Sequence, residues 1–247
     1  MSLEELRLIL AGKLAGSEFE GKAWFAGGCV RDALLGRIPA KLDADIAVEL
    51  PAGGVRLARY LQKLLPTPEP VVRHAFGTAS AVYEGVQLDF VMTRSEIYAP
   101  GSRHPRVRFA PLAKDCHRRD FTVNALYQNI QTGLVTDPCG RGLADLEAKV
   151  ISCVREAGAS LEEDPLRILR ALRFAAILGF DLAPETLAAI KDKAPLVVSL
   201  SRQRCRDEQA RLEANADAGG RQTWMSLLES SGVRPYLEKR TPLISLS

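Results

Sequence analysis

The sequence predicts an α/β head with a mixed β-sheet over residues 1–153 and an all-helical second part over residues 154–247. Three observations predict it. From Trp24 to about Cys153, short β-branched and aromatic runs alternate with glycine and proline, the texture of strands separated by turns. Helical spacing interrupts these runs at about 30–36 and 53–64, so the sheet is mixed with helices. From Leu161 onward strand signals disappear and apolar residues recur at helical spacing.

The elements follow in order. The opening stretch MSLEELRLILAGKL reads as an amphipathic helix. Apolar Ala23 to Ala26 reads as a short buried strand, Gly27-Gly28 as a turn, and Val30 to Leu35 as a helix closed by Gly36. Leu42 to Val48 is a second strand, and its period of two puts Asp43 and Asp45 on one face with Ala44 and Ile46 on the other. The runs 71–75, 79–85 and 86–92 are further strands, with Glu84-Gly85 as the hairpin turn between the last two. Pro100 to Pro111 reads as a charged loop without periodicity. Leu166, Leu169, Leu172 and Phe174 mark a helix, and more helices are expected near 184–193, 201–213 and 219–230.

A chain of 247 residues holds one large domain or two small ones. No stretch approaches the ~20 continuous apolar residues of a membrane span, and the acidic residues near the N-terminus speak against a secretory signal. Five scattered cysteines without CxxC spacing speak against a disulfide framework or a zinc site, and a cytoplasmic location is expected. The net charge of +3 is only mildly basic. The positive residues are clustered, however. Arg103, Arg106, Arg108, Lys114, Arg118 and Arg119 fall close together, and Arg167, Arg170 and Arg173 share one helix. Such clusters suit polyphosphate or RNA; Arg103, Arg106 and Arg118 are the RNA-binding candidates.

The chemistry is read from a few residues. A strand, a glycine turn and a helix N-terminus bring unpaired N–H groups and a positive dipole end together, which is an anion site. Two carboxylates at Asp43 and Asp45 repel each other unless a cation lies between them, and Mg²⁺ takes one or two carboxylates plus phosphate oxygens. Phosphate cradle and carboxylate pair together suggest phosphoryl or nucleotidyl transfer. Asp89 is a third acid in an otherwise apolar strand, where it needs a partner or a cation; if its strand lies beside Asp43 and Asp45, the three converge. Asp164 and Arg167 are read as i, i+3 neighbours on one helix face, an acceptor beside donors. That pair matches the amino group and ring nitrogen of cytosine and adenine and mismatches guanine and uracil. A dinucleotide-binding fold is excluded by the absence of GxGxxG.

Several ordered motifs resemble the class II tRNA nucleotidyltransferase and bacterial poly(A) polymerase family. They are Gly27-Gly28-Cys29-Val30-Arg31-Asp32, Leu34-Leu35-Gly36-Arg37, Asp43-Ala44-Asp45, and Arg118-Arg119-Asp120-Phe121-Thr122-Val123-Asn124-Ala125-Leu126. Asp137-Pro138 through Asp145-Leu146 and Glu163-Asp164-Pro165-Leu166-Arg167 follow, with Ser201, Arg204 and Glu208 resembling the last motif. Cys139 and Arg141 depart from the aromatic and glycine residues common in that family.

The resemblance implies a nucleotidyltransferase head and a helical neck, covering about residues 20–240. It implies that Asp43 and Asp45 hold Mg²⁺, with Asp89 as a third site carboxylate. It also implies that Gly27, Gly28 and Arg31 cradle the triphosphate and that Arg119, Asp120 and Asn124 contact the incoming nucleotide. Asp164 and Arg167 then select CTP and ATP, and Arg170 and Arg173 on the same helix are expected to bind the nucleotide with them. Asp120 and Thr122 look like helix caps, and the two adjacent arginines are expected to project in different directions. The implied reaction adds CMP or AMP to the 3′ end of tRNA. CCA-, CC-, A- and poly(A)-adding activities share these motifs, as does a catalytically weak nucleotide- or RNA-binding member. The loop Tyr98–Val107 is long enough to be the one that members adding the terminal A retain, which leans away from a CC-only enzyme. Full-length members continue into body and tail domains. Two alternatives stay open for a chain ending at Ser247: a piece of a longer protein, or a short member with a different grip on RNA.

Overall fold

Exposed acids alternating with buried apolar residues make Asp43–Val48 a half-buried strand, and the head is assembled around it. The computed structural model describes residues 1–39, 41–73, 77–97 and 106–243. Chain order begins with α1 (Leu3–Leu14), β1 (Ala23–Ala26), α2 (Gly28–Leu34), β2 (Asp43–Val48), α3 (Gly53–Gln62), β3 (Val71–Arg73), β4 (Thr78–Tyr83) and β5 (Val86–Met92). Next come β6 (Arg94–Ile97), β7 (Arg106–Phe109), α4 (Leu112–Asp115), β8 (Tyr127–Asn129), β9 (Val135–Thr136), α5 (Gly142–Glu147) and β10 (Val150–Ile151). The remainder is α6 (Ala157–Glu163), α7 (Leu166–Leu178), β11 (Asp181–Leu182), α8 (Pro184–Lys193), α9 (Arg202–Asn215), α10 (Ala218–Ser230) and α11 (Arg234–Glu238).

The chain divides into two compact units: residues 1–119 with 124–142, and residues 120–123 with 143–247. In the first, a seven-stranded sheet runs in the order β3-β4-β5-β2-β1-β8-β9. Only β2 and β5 pair in parallel; the other neighbours are antiparallel. Phe25, Ile46, Leu88 and Phe90 are fully buried at its centre, each contributing about 1.5–3 kcal/mol. Helix α3 packs on β5 through Gly54, where an added methyl would lie 2.8 Å from the Phe90 carbonyl oxygen. In α1, a Ser2–Glu5 capping box starts the helix and Leu6, Leu10 and Leu14 are buried.

In the second unit, α7 buries Ile168, Leu169, Ala171 and Leu172 and packs against α9 and α10. The Arg173 Nε–Glu208 Oε2 ion pair, 2.7 Å long and buried, joins α7 to α9.

Three expectations are corrected. The first short helix runs from Gly28 to Leu34 rather than 30–36, because the left-handed Gly27, at φ 75°, delivers the chain directly into it. The stretch read as a loop from Pro100 to Pro111 contains β7, paired with β6 in a separate two-stranded ribbon. The helical part is not free of strands: β11 pairs in parallel with β10. Of the run 71–75, residues 71–73 form a strand and 74–75 lie outside the described residues. Residues 98–105 of the Tyr98–Val107 loop also lie outside them, and Arg106 and Val107 begin β7. Among the described residues no helix is long and apolar enough to cross a membrane.

Candidate catalytic and nucleotide sites

Parallel pairing of β2 with β5 sets the acids of the first unit. Its register places Asp43 beside Gln87 and Asp45 beside Asp89, and residues directly opposite in a sheet share a face. Asp43 and Asp45 are exposed while Ala44 and Ile46 are buried, as the alternation requires. Asp89 lies on an interior strand. It accepts hydrogen bonds from Ser80 Oγ at 2.5 Å and Gln87 Nε2 at 3.2 Å. Although Asp45 keeps solvent access, its carboxyl pKa is raised above the ordinary value. Desolvation by the surrounding protein is the main cause; Asp89 and Asp43 add to it, while Arg119 opposes it.

Facing these acids is the glycine turn. A methyl at Gly27 would come within 3.1 Å of Arg119 Nη1 and 3.7 Å of Asp45 Oδ2. Gly27 donates its amide to the Leu126 carbonyl at 3.0 Å, so the amides left for an anion start at Gly28. Arg31 is buried; it donates to Asn124 Oδ1 at 2.6 Å and pairs with Asp32 at 2.8 Å. Cys29 is not a nucleophile here: burial, then the charge of Asp45, pushes its thiol up to about 12.

Arg119 is held from behind. Its Nε donates to Tyr127 Oη at 2.8 Å, its Nη1 to the Asn124 carbonyl at 3.2 Å, and its guanidinium lies 4.7 Å from the Tyr127 ring centroid. Tyr127 Oη donates onward to Asp115 Oδ2 at 2.7 Å. Asp115, fully buried, also accepts from the Arg94 amide at 2.8 Å and from Arg118 Nε at 2.9 Å. Burial penalises both charges, but the surrounding partners win: Asp115 lies below the ordinary carboxylate value and Arg119 stays protonated. The two arginines therefore do not diverge. Both meet Asp115, because i, i+3 and i, i+4 spacing brings them to the same acid. Sequence reasoning missed Asp115 and Tyr127, although that spacing was a usable signal for Asp115.

The second unit holds the remaining candidates. The Asp120 carboxylate accepts from the Phe121 amide at 2.7 Å and from Arg170 Nε at 2.7 Å. Thr122 Oγ1 donates to Asp145 at 2.6 Å instead of capping, since only a three-residue 3₁₀ turn, Thr122–Asn124, follows. The Asp164–Arg167 pairing is also corrected. Pro165 disfavours helical backbone at the residue before it, and Asp164 is extended at φ −139°, ψ 97°, ending α6. Its carboxylate receives Arg204 at 3.0 and 3.3 Å. Arg167, buried at the start of α7, donates to Ser160 Oγ at 2.8 Å and lies 3.9 Å from Glu163. Arg173 is buried against Glu208, which also accepts from Arg211 at 2.8 Å. Arg103 lies outside the described residues, and only the backbone of Arg106 is described.

Among the described residues no group of three or more His, Cys, Asp or Glu is arranged to hold a metal ion. The pair Asp43 and Asp45 nevertheless fits one. The charges of Asp89 and Asp43 make Asp45 costlier to ionise, a cost that a cation would relieve, and Mg²⁺ completes its shell with phosphate oxygens rather than a third carboxylate.

The poly(A) polymerase head-domain family matches residues 23–152. This chain belongs to the class II tRNA nucleotidyltransferase and poly(A) polymerase family. It is 36% identical over 219 residues to the CCA-adding enzyme of Geobacillus thermodenitrificans, covering 87% of this chain and 50% of that one. It is 40% identical over 192 residues to the CC-adding tRNA nucleotidyltransferase of Geobacter sulfurreducens, covering 77% of this chain and 40% of that one. Among solved structures, the Bacillus stearothermophilus CCA-adding enzyme in complex with CTP superposes with a TM-score of 0.76 at 30% identity, over 98% of this chain and 55% of that one. The chain thus spans about half the length, or less, of the curated relatives it matches. The likeness to these family members covers the helical unit as well as the sheet.

Proposed function

We propose that this chain carries the catalytic head and the neck of a template-independent RNA nucleotidyltransferase that adds CMP or AMP to the 3′ end of tRNA, using CTP, ATP and Mg²⁺. The observation that carries the reading is the parallel β2–β5 register. It aligns Asp45 with Asp89 on the face that meets Arg119 and the glycine turn. The relatives' names, CCA-adding and CC-adding, support the same reaction class.

Asp43 and Asp45 would hold the ion, which when bound lowers the pKa of the RNA 3′-hydroxyl and steadies the leaving pyrophosphate. The chain's own residues supply the rest. Arg119, kept protonated by Tyr127, Asp115 and Asp45, presents positive charge to an incoming triphosphate beside amides from Gly28 onward. Arg31 fixes Asn124 through its 2.6 Å hydrogen bond and so braces the run that carries Arg119. In the second unit, base selection is assigned to Asp164 and Arg167 as separate groups. Asp164 offers acceptors, oriented by Arg204, and Arg167 offers donors, oriented by Ser160.

The deciding experiment incubates the chain with Mg²⁺, each labelled NTP in turn, and tRNA lacking its 3′ CCA, its CA or its terminal A. Incorporation of C and then A, with GTP and UTP rejected, is expected. A long run of A on any RNA end would identify a poly(A)-adding member instead. Absence of all incorporation would overturn the reading.

A further inference from the structure

Asp115 belongs to none of the motifs that carry the family resemblance, yet it is fully buried and ringed by donors. Oδ1 receives the Arg94 amide at 2.8 Å and Arg118 Nε at 2.9 Å, while Oδ2 receives Tyr127 Oη at 2.7 Å. An ionised carboxylate only accepts and a guanidinium only donates. A phenol placed between them can therefore point its proton only toward Asp115, which leaves its lone pair for Arg119 Nε at 2.8 Å. The direction of the whole chain of hydrogen bonds is thereby set. Its far end is Arg119 Nη1, which a methyl added at Gly27 would meet at 3.1 Å. Its near end is the backbone of Arg94, the first residue of β6, at the base of the β6–β7 ribbon.

We propose that Asp115 is a positioning residue that acts through Tyr127 to aim the Arg119 guanidinium at the glycine turn, and that the same carboxylate anchors the β6–β7 ribbon to this arrangement. The proposal rests on the reading that Arg119 contacts the incoming nucleotide. The alternative, that Asp115 merely neutralises buried arginines, gives no reason for Tyr127 to intervene. Arg119 Nε lies 3.7 Å from Asp115 Oδ2 and reaches the acid through the phenol.

The test compares the wild-type chain with Asp115→Asn, Tyr127→Phe, the double variant and Arg119→Ala. Tyr127→Phe keeps the ring under Arg119 and is the variant to rely on if Asp115→Asn does not fold. The first readout is the Arg119 Nε–H NMR signal, assigned by its loss in Arg119→Ala. In the wild type it should be resolved and slow to exchange, and in both single variants it should shift and exchange fast. The second is the CTP dissociation constant in Mg²⁺ buffer, which each single variant should raise about tenfold, the range set by losing one charge-assisted hydrogen bond. The double variant should be little worse than the worse single, because the two groups act in series. An Arg119 signal unmoved by Tyr127→Phe, or additive losses in the double variant, would overturn the proposal. If the signal moves but Arg119→Ala binds CTP like the wild type, the nucleotide role of Arg119 is what fails, and the functional half of the proposal falls with it.

Discussion

At the scale of single residues, two aspartates in the head titrate in opposite directions, and the consequence is measurable. Asp45 has its folded-state pKa raised above the unfolded value of 3.8. Its ionised form therefore costs stability at pH values above the folded pKa, and the cost vanishes below 3.8, where both states are protonated. Asp45→Asn should raise the Tm at pH 7, and the gain should shrink as the pH falls toward about 4. The same variant, or Asp43→Ala, should abolish incorporation in Mg²⁺. Calorimetry across pH and a single-turnover assay check the two halves, and turnover by the double variant would sink the carboxylate-pair assignment. Asp115 has the opposite sign: its folded pKa is depressed, so its stabilisation is present above the unfolded value and is lost as the pH falls through the folded one.

At the scale of elements, the head depends on a close approach and the second unit on a buried charge pair. Gly54 brings α3 against the Phe90 carbonyl, where an added methyl already falls at 2.8 Å. Gly54→Val should cost about 1–3 kcal/mol, as overpacking does, seen as a lower urea midpoint. An unchanged midpoint would mean that α3 shifts freely on β5. Arg173→Ala leaves Glu208, itself fully buried, without its α7 partner. The expected cost is about 3–5 kcal/mol, while replacing both residues by apolar ones of similar volume should be nearly neutral. If Arg173→Ala instead weakens CTP binding and leaves the Tm unchanged, Arg173 serves the nucleotide rather than the brace.

At the scale of the whole molecule, charge is nearly balanced, 33 basic against 30 acidic residues, and many arginines are already tied to acids inside the protein. Arg118, Arg119, Arg170 and Arg173 each meet a buried or half-buried carboxylate. Charge tied up in this way is not offered to phosphates, so RNA held by this chain should be held weakly and through counterion release. About three or four phosphate contacts give a log–log salt slope of roughly −2 to −4. Charge reversal at Arg103 and Arg106 should lower RNA affinity and spare CTP binding. A filter-binding salt series decides it; tight, nearly salt-independent binding would show that shape rather than charge does the recognising.

What the sequence determined by itself was local. The period of two through Asp43–Val48, the Glu84-Gly85 turn between β4 and β5, and the helix Pro184–Lys193 are all written in neighbouring residues. The paired aspartates were legible for the same reason, since period-two alternation needs no distant partner. Only the tertiary structure decided which residues meet. Nothing local aligns Asp89 with Asp45 across a parallel ladder, because strand register is chosen by burial on both strands together. Nothing local gives Asp164 to Arg204 rather than Arg167; there Pro165 broke the helical geometry that the i, i+3 spacing assumed. Asp115 and Tyr127, twelve residues apart, owe their contact to the packing that buries both. A carboxylate removed from water takes whatever donors the fold brings to it.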